Sequence, residues 1–146
     1  MVTISNDLVS LIQEEEREAI EEIHQSIGWN DYVSGKGFVA RSNTNGKIIA
    51  YINLRLYSEM THIPYFAVHK NYQGMGVGIQ LFDQAVKISK ENNRLSMELS
   101  CEVEKTGNFY RKCAKRLALP HEETFSGLYD NGDLASKFVF DLKKSL

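Results

Sequence analysis

The sequence predicts an α/β fold in which helices flank a mixed β-sheet. Three observations indicate this class: a length of 146 residues, apolar patterns that change between helical and strand spacing, and a glycine cluster between a strand and a helix. The predicted order is a helix, three strands, a helix, a strand, a helix and two strands. We therefore expect a single domain that comprises residues 1–146.

The sequence of the N-terminal half predicts one long helix followed by three strands. The apolar residues of the helix recur at helical spacing, and its other face is strongly acidic. The predicted elements are a short strand from Val2 to Ile4, a helix from Asp7 to about Ile27, and strands from Phe38 to Arg41, Lys47 to Tyr57 and Thr61 to His69. An Asn45-Gly46 pair is typical of the hairpin turn between the first two of these three strands, and Pro64 predicts a bulge or interruption in the third.

The C-terminal half predicts two helices and three strands. The first helix follows the glycine cluster, ends near Asn92, and has an apolar face made of Ile79, Phe82, Ala85, Val86 and Ser89. The elements after it are a strand from Leu95 to Val103, a helix from Thr106 to about Arg116, and a closing hairpin with strands from Glu123 to Tyr129 and Leu134 to Leu142.

The composition excludes several classes of function. A formal net charge of −2 argues against a general nucleic-acid binder, which would present a basic face. The sequence has no apolar run of about 18 residues and no basic, apolar N-terminal signal, so we expect no membrane span and no secretion. Two cysteines, Cys101 and Cys113, are too few for a disulfide framework or a zinc site. We expect a cytoplasmic protein with reduced thiols and no metal.

The glycine cluster needs a physical reason. Gly74, Gly76 and Gly78 alternate with Met75 and Val77 between a strand and a helix, although glycine costs about 0.5–1 kcal/mol relative to alanine inside an element. The first amides of a helix lack partners and its dipole favours negative charge, so this turn predicts a phosphate site. The alternative is a tight connection without a ligand. The spacing fits neither a dinucleotide fingerprint nor a mononucleotide P-loop.

The turn resembles a family signature. Gln73, Gly76 and Gly78 match the Q/R-x-x-G-x-G/A motif of the GNAT superfamily of acyl-CoA-dependent N-acyltransferases, and Ala67 to His69 is similar to the end of the family's fourth strand. Tyr110 follows the predicted strand of residues 95–103 as the family's tyrosine follows its fifth strand. The resemblance implies a mostly antiparallel sheet, flanked by helices, that splays at a parallel pair formed by the fourth and fifth strands.

The resemblance also implies a donor and its contacts. The donor would be acetyl-CoA or another acyl-CoA, with its pyrophosphate on backbone amides of the glycine turn and its pantetheine arm beside residues 66–68. The implied cofactor-binding residues are Phe66, Ala67, Val68, Gln73, Gly74, Met75, Gly76, Val77 and Gly78.

Attack of an amine on a thioester implies two catalytic side chains. The Val68 N–H is the family's donor to the oxyanion, and Tyr110 would give a proton or a hydrogen bond to the departing sulfur. His62 lies six residues before Val68, where some family members carry a glutamate or histidine base, and an imidazole suits that task. The alternative interpretations are a core-capping tyrosine and a structural histidine.

The acceptor implied by the resemblance is an amine of a small molecule or of a protein, and Trp29 and Tyr32 could pack against its apolar part. Two copies of the chain could associate through a sheet edge, although no residue demonstrates it. Two other interpretations stay open at this point: a non-catalytic acyl-CoA-binding module used for sensing or scaffolding, and an unrelated α/β nucleotide binder.

Overall fold

The computed structural model describes residues 2–11, 14–31 and 33–143. In chain order the elements are β1 (Val2–Ile4), β2 (Val9–Ser10), α1 (Glu14–Ile27), β3 (Lys36–Ser42), β4 (Ile48–Leu56), β5 (Met60–Ile63), β6 (Phe66–Val68), α2 (Val77–Glu91), β7 (Ser96–Glu102), α3 (Val103–Arg116), β8 (His121–Leu128) and β9 (Leu134–Asp141). Two compact units comprise Met1–Arg55 with Tyr65–Ala85, and Leu56–Pro64 with Val86–Leu146. We call them the N-terminal unit and the C-terminal unit.

The N-terminal unit has an antiparallel sheet. β3 pairs with β1, β2 and β4, and β4 also pairs with β6. The apolar stripe of α1 belongs to the core of this unit, whose buried members are Leu11, Ala19, Ile20, Ile23, Val33, Val39, Ile48, Tyr51 and Ala67. On the acidic face of α1, Glu16 pairs with Arg41 at 2.6 Å and Glu22 pairs with Lys47.

The first helix begins later than the sequence predicts. It starts at Glu14 rather than Asp7, because Val9 and Ser10 form β2 and pair with Gly37 and Lys36 of β3. The apolar spacing before residue 12 is too short to separate a helix from a strand, and pairing with β3 supplies the backbone hydrogen bonds.

The strand predicted from Thr61 to His69 is two strands. β5 belongs to the C-terminal unit and pairs with β7, whereas β6 belongs to the N-terminal unit and pairs with β4. Residues 64 and 65 separate them, so the interruption predicted at Pro64 is confirmed. Proline has no N–H for a ladder, which explains why the break falls there.

The C-terminal unit has a mixed sheet in the order β5-β7-β9-β8. β5 and β7 are parallel, and the other two pairs are antiparallel. This parallel pair and the flanking helices confirm the predicted α/β class with a mixed sheet. α3 begins at Val103, directly after β7, three residues before the predicted start.

The buried face of α2 is mostly the predicted one. Phe82, Ala85, Val86 and Ser89 are buried, as is the neighbouring Leu81, whereas Ile79 is 37% exposed. Ile79 is therefore the one residue of the predicted face that the core does not cover. None of the helices that the structure describes is long and apolar enough to cross a membrane.

Candidate active site

The glycine turn between β6 and α2 has a conformation that favours glycine. After Val68 the chain forms a 3₁₀ turn at Lys70–Tyr72, and α2 begins at Val77. Gly74 and Gly76 both have a φ of +79°. A Cβ at either position would meet no atom within 4 Å, so the left-handed backbone, rather than crowding, is what requires glycine.

The same turn leaves a row of backbone donors without partners. Among residues 2–11, 14–31 and 33–143, no hydrogen bond uses the amide N–H groups of residues 74–79. The Gly76 carbonyl accepts the first bond of α2, from the Gln80 N–H at 3.2 Å. The Met75 side chain is 66% exposed and does not fill the turn. Unpaired amides at the positive end of a helix dipole can bind an anion.

Beside the turn, β6 presents a polar edge that β4 does not use. The His69 N–H donates to the Ile49 carbonyl at 2.8 Å, which fixes this pair as hydrogen-bonded in the antiparallel ladder. Because bonding alternates along such a ladder, the N–H and C=O of Val68 point away from β4. The Gln73 side chain donates to the Val68 carbonyl at 3.1 Å, and the Val68 N–H has no partner in the described part of the chain.

Side-chain hydrogen bonds hold the turn to α1. The Lys70 N–H donates to Oγ of Ser26 at 3.1 Å, and that hydroxyl donates to the Ile23 carbonyl at 2.6 Å. The Asn71 N–H donates to Nδ1 of His69 at 3.1 Å. The 3₁₀ segment is therefore anchored to α1 at its N-terminal end, where His69 also caps it. All nine predicted cofactor-binding residues lie on β6 or on residues 73–78, within the N-terminal unit.

Tyr110 lies inside the C-terminal unit. Its side chain is 7% exposed, packs against the rings of Phe109 and Phe138 at centroid distances of 5.2 and 5.7 Å, and lies near Cys101 and Cys113. Burial raises the pKa of the phenol, so Tyr110 stays protonated at neutral pH and can donate a hydrogen bond. The two cysteines are buried thiols that form no disulfide.

His62 lies on the other face of the same sheet. It pairs in register with Glu98, and Glu98 faces away from the Leu99 and Cys101 side of β7, where Tyr110 packs. The structure therefore does not bring the two predicted catalytic residues together on one face. Among the described residues, no three His, Cys, Asp or Glu side chains come close enough for a metal site.

The predicted acceptor residues are only partly placed. Trp29 is half-buried against the core of the N-terminal unit, and its ring meets His24 edge-on at 5.4 Å and Tyr65 at 6.2 Å. Tyr32 lies outside the described residues. Packing against the core buries part of the Trp29 side chain. Contact of its exposed part with the acceptor stays a prediction.

Below Trp29 lies a buried polar pair that the sequence did not indicate. Nε2 of His24 and Oη of Tyr51 are 2.5 Å apart, and Nδ1 of His24 is 3.0 Å from the Asp31 carbonyl. A carbonyl only accepts, so Nδ1 carries the proton and Nε2 accepts from the Tyr51 hydroxyl. Burial lowers the pKa of His24, which keeps the ring neutral. The side chains fix the loop of residues 28–31 to β4.

Comparison with known proteins agrees with this architecture. The family model for the GNAT acetyltransferases matches residues 5–114. Ard1 from Thermoplasma volcanium has 20% identity and a TM-score of 0.70, with 94% of this chain and 95% of that chain covered. The ribosomal-protein-S18-alanine N-acetyltransferase from Escherichia coli has 16% identity and a TM-score of 0.71, with 97% and 94% covered.

A third structure of the same fold contains bound ligands. Diaminobutyrate acetyltransferase EctA from Paenibacillus lautus, in complex with L-2,4-diaminobutyric acid and coenzyme A, has 13% identity and a TM-score of 0.75, with 97% and 95% covered. No curated protein matches the sequence. The fold and the family match define an acyltransferase enzyme. The chain belongs to the GNAT acetyltransferase family.

Proposed function

We propose that this protein transfers an acetyl group from acetyl-CoA directly to a primary amine of a small molecule or a protein. The observation that carries the proposal is two groups of unpaired main-chain donors, the Val68 N–H on β6 and the amides of residues 74–79, on either side of a short segment whose own amides are hydrogen-bonded. Such donors fit a long ligand that has an amide-containing arm at one end and a diphosphate at the other.

The N-terminal unit would hold the donor substrate. The amides of the glycine turn bind the diphosphate of acetyl-CoA, and the pantetheine arm adds to the open edge of β6 as an extra strand. The Val68 N–H then donates to the thioester oxygen, where negative charge develops during attack. Gln73 supports this arrangement, because its bond to the Val68 carbonyl joins the strand to the turn.

The reaction needs two proton transfers. An alkyl ammonium has a pKa near 10.4, so freeing its lone pair at pH 7 costs roughly 4–5 kcal/mol without a base. His62 accepts that first proton through water, since it lies on the opposite face of the C-terminal sheet from Tyr110. The amine nitrogen then forms a bond with the carbonyl carbon, and its second proton passes to water as the tetrahedral intermediate collapses and the C–S bond breaks. Tyr110 donates a hydrogen bond to the departing sulfur, and the thiolate takes a proton from solvent.

Two further expectations are proposals of the same kind. A cytoplasmic location agrees with two buried cysteines that form no disulfide. Association of two copies would use β8, an edge strand of the C-terminal sheet with 64% of Phe125 and 65% of Leu128 exposed.

The test is turnover of acetyl-CoA with a panel of polyamines, amino acids and short peptides, with mass detection of the acetylated product. We expect release of coenzyme A that depends on an acceptor. The alternative, a non-catalytic acyl-CoA-binding module, would bind coenzyme A and give no product with any acceptor.

Tyr110→Phe tests the proposed hydrogen bond to the departing sulfur. We expect kcat to fall about tenfold or more because the developing thiolate loses this donor, while the dissociation constant for coenzyme A stays unchanged. Calorimetric titration with coenzyme A provides the second measurement. An unchanged kcat would remove Tyr110 from the mechanism.

A further inference from the structure

A row of three charged or titratable side chains crosses neighbouring strands of the C-terminal unit. His62 on β5 and Glu98 on β7 are register partners. Oε1 of Glu98 lies 3.4 Å from Nδ1 of His62, and Oε2 of Glu98 lies 3.0 Å from Nζ of Lys137 on β9. Each oxygen of one carboxylate therefore has its own partner, one on each neighbouring strand.

The two ring nitrogens of His62 have different surroundings. Nδ1 is buried and makes no hydrogen bond. Nε2 is accessible to solvent and makes no hydrogen bond with a described residue. The side chain as a whole is 33% exposed. Leaving a buried polar atom without a partner costs about 1–3 kcal/mol, so Nδ1 needs an acceptor for its proton. Oε1 of Glu98 is positioned to be that acceptor.

The tautomer follows from this geometry. A neutral imidazole has one protonated nitrogen and one lone pair, and a carboxylate beside Nδ1 favours the proton there. The lone pair is then on Nε2, the nitrogen that keeps contact with solvent. The Glu98 side chain is only 18% exposed, and Lys137 holds its Oε2. This contact directs Oε1 of Glu98 to the His62 ring.

We propose that Glu98 is a positioning residue that holds His62 in the Nδ1–H tautomer, and that Lys137 holds Glu98 in place. This inference rests on the proposed function, in which His62 is the base. R–NH₃⁺ gives one proton to Nε2 through water, the C–N bond forms, and the second proton of the nitrogen passes to water. The C–S bond breaks, and the thiolate takes a proton from solvent. The imidazolium returns its proton to solvent.

The separation of 3.4 Å is longer than a normal hydrogen bond of about 2.7–3.2 Å. Catalytic hydrogen bonds in ligand-free sites are often long and shorten when substrate binds. A positive charge developing on His62 strengthens its attraction to Glu98, so the contact favours the state in which the acceptor amine has lost its proton.

The first experiment measures the tautomer without any substrate. Long-range ¹H–¹⁵N correlation spectra of the histidine side chains in the full chain distinguish Nδ1–H from Nε2–H rings, and His62→Gln identifies the His62 signals among the four histidines. We expect Nδ1–H for neutral His62 in the wild-type protein and a shift towards Nε2–H in Glu98→Gln. Lys137→Met should give a smaller shift in the same direction.

Glu122→Gln is the matched control. Glu122 is exposed and lies in the same cross-strand row as Glu98, since both pair in register with Val139. This control should leave the tautomer unchanged. A wild-type His62 in the Nε2–H form, or the same tautomer ratio in Glu98→Gln as in wild type, would overturn the inference.

The second experiment connects the tautomer to the reaction, with acetyl-CoA and an acceptor found in the panel. We expect kcat to fall about a hundredfold in His62→Ala and about tenfold in Glu98→Gln, with the KM for acetyl-CoA unchanged. Added imidazole should restore part of the activity of His62→Ala. Because Glu98 acts through His62, the double variant should be no slower than His62→Ala.

The two experiments separate this inference from the proposed function. If the wild-type protein acetylates no acceptor, the proposed function fails and the catalytic part of the inference fails with it, while the spectra still decide the tautomer. If acetylation occurs but Glu98→Gln keeps the wild-type kcat, the proposed function stands and the positioning role of Glu98 is wrong.

Discussion

At the scale of single residues, two histidines of this protein differ because of what surrounds each ring. His24 is 4% exposed and has both nitrogens in contact with partners, Tyr51 and the Asp31 carbonyl. His62 has one buried nitrogen beside a carboxylate and one open nitrogen. The first arrangement favours a neutral structural ring, and the second is suited to proton transfer.

The burial of His24 predicts a pH dependence of stability. Its pKa is lowered in the folded protein, chiefly by burial, from an unfolded value near 6.5. Below about pH 6.5 the unfolded chain therefore binds a proton that the folded protein does not yet bind, and the free energy of unfolding decreases as the pH falls.

We expect His24→Gln to make this decrease smaller between pH 7 and pH 5. Urea denaturation at a series of pH values provides the measurement, with the slope of unfolding free energy against pH as the quantity compared. Equal slopes in the two proteins would contradict the prediction.

At the scale of elements, the turn between β6 and α2 combines two properties. The path of its backbone depends on the left-handed conformation of Gly74 and Gly76, and its proposed binding of the donor depends on amides that the helix itself does not use. A side chain at either glycine would strain the backbone and thereby turn these amides away from the proposed ligand.

Gly76→Ala is expected to weaken coenzyme A binding about tenfold or more, because a left-handed alanine costs about 1–2 kcal/mol and the turn relaxes away from it. Gly46→Ala is the matched control. Gly46 also has a positive φ, of +70°, and a Cβ added there would meet no atom within 4 Å. It belongs to the β3–β4 hairpin rather than to the glycine turn, so its substitution adds the same backbone strain elsewhere.

Both variants should lose a similar amount of unfolding free energy, while only Gly76→Ala should lose affinity in calorimetric titration. Equal affinities in the two variants would remove the glycine turn from the binding site.

Elements with long, regular patterns were predictable from the sequence. The second helix was expected to end near Asn92 and ends at Glu91, and the strand expected from Leu95 to Val103 is Ser96–Glu102. The glycine turn was also predictable, because its residue types and spacing are local. These features depend on residues that are close in sequence, so a short window contains the information.

Pairings between distant segments were not predictable. Pro64 indicated a break, but nothing local assigns β5 and β6 to different partner strands, because register depends on both partners. The row of His62, Glu98 and Lys137 likewise depends on two register relations and was not foreseen. Alternation along one strand cannot identify which side chains of neighbouring strands meet there.

At the scale of the whole molecule, identities of 13–20% accompany TM-scores of 0.70–0.75 in the three structures compared. What the chain shares with them is therefore mainly backbone geometry rather than particular side chains, and this likeness shows the fold.

Ligand binding gives a prediction for the whole chain. Coenzyme A that binds only the folded protein should stabilise it by about 2.7 kcal/mol at a hundred times the dissociation constant. For a protein of this size we expect a rise in melting temperature of roughly 5–10 °C. Thermal unfolding with ATP and with NAD provides the controls, and an equal rise with either would favour a general nucleotide binder.

Main-chain recognition of the donor at residues 74–79, as proposed, would have a consequence for how this protein evolves. Most substitutions in that segment leave the peptide N–H in place, so donor binding would tolerate sequence change except where a positive glycine φ is needed. Selection could then alter the surfaces that contact the amine while donor binding is kept. Such a protein could exchange one acceptor for another and keep the same source of acetyl groups.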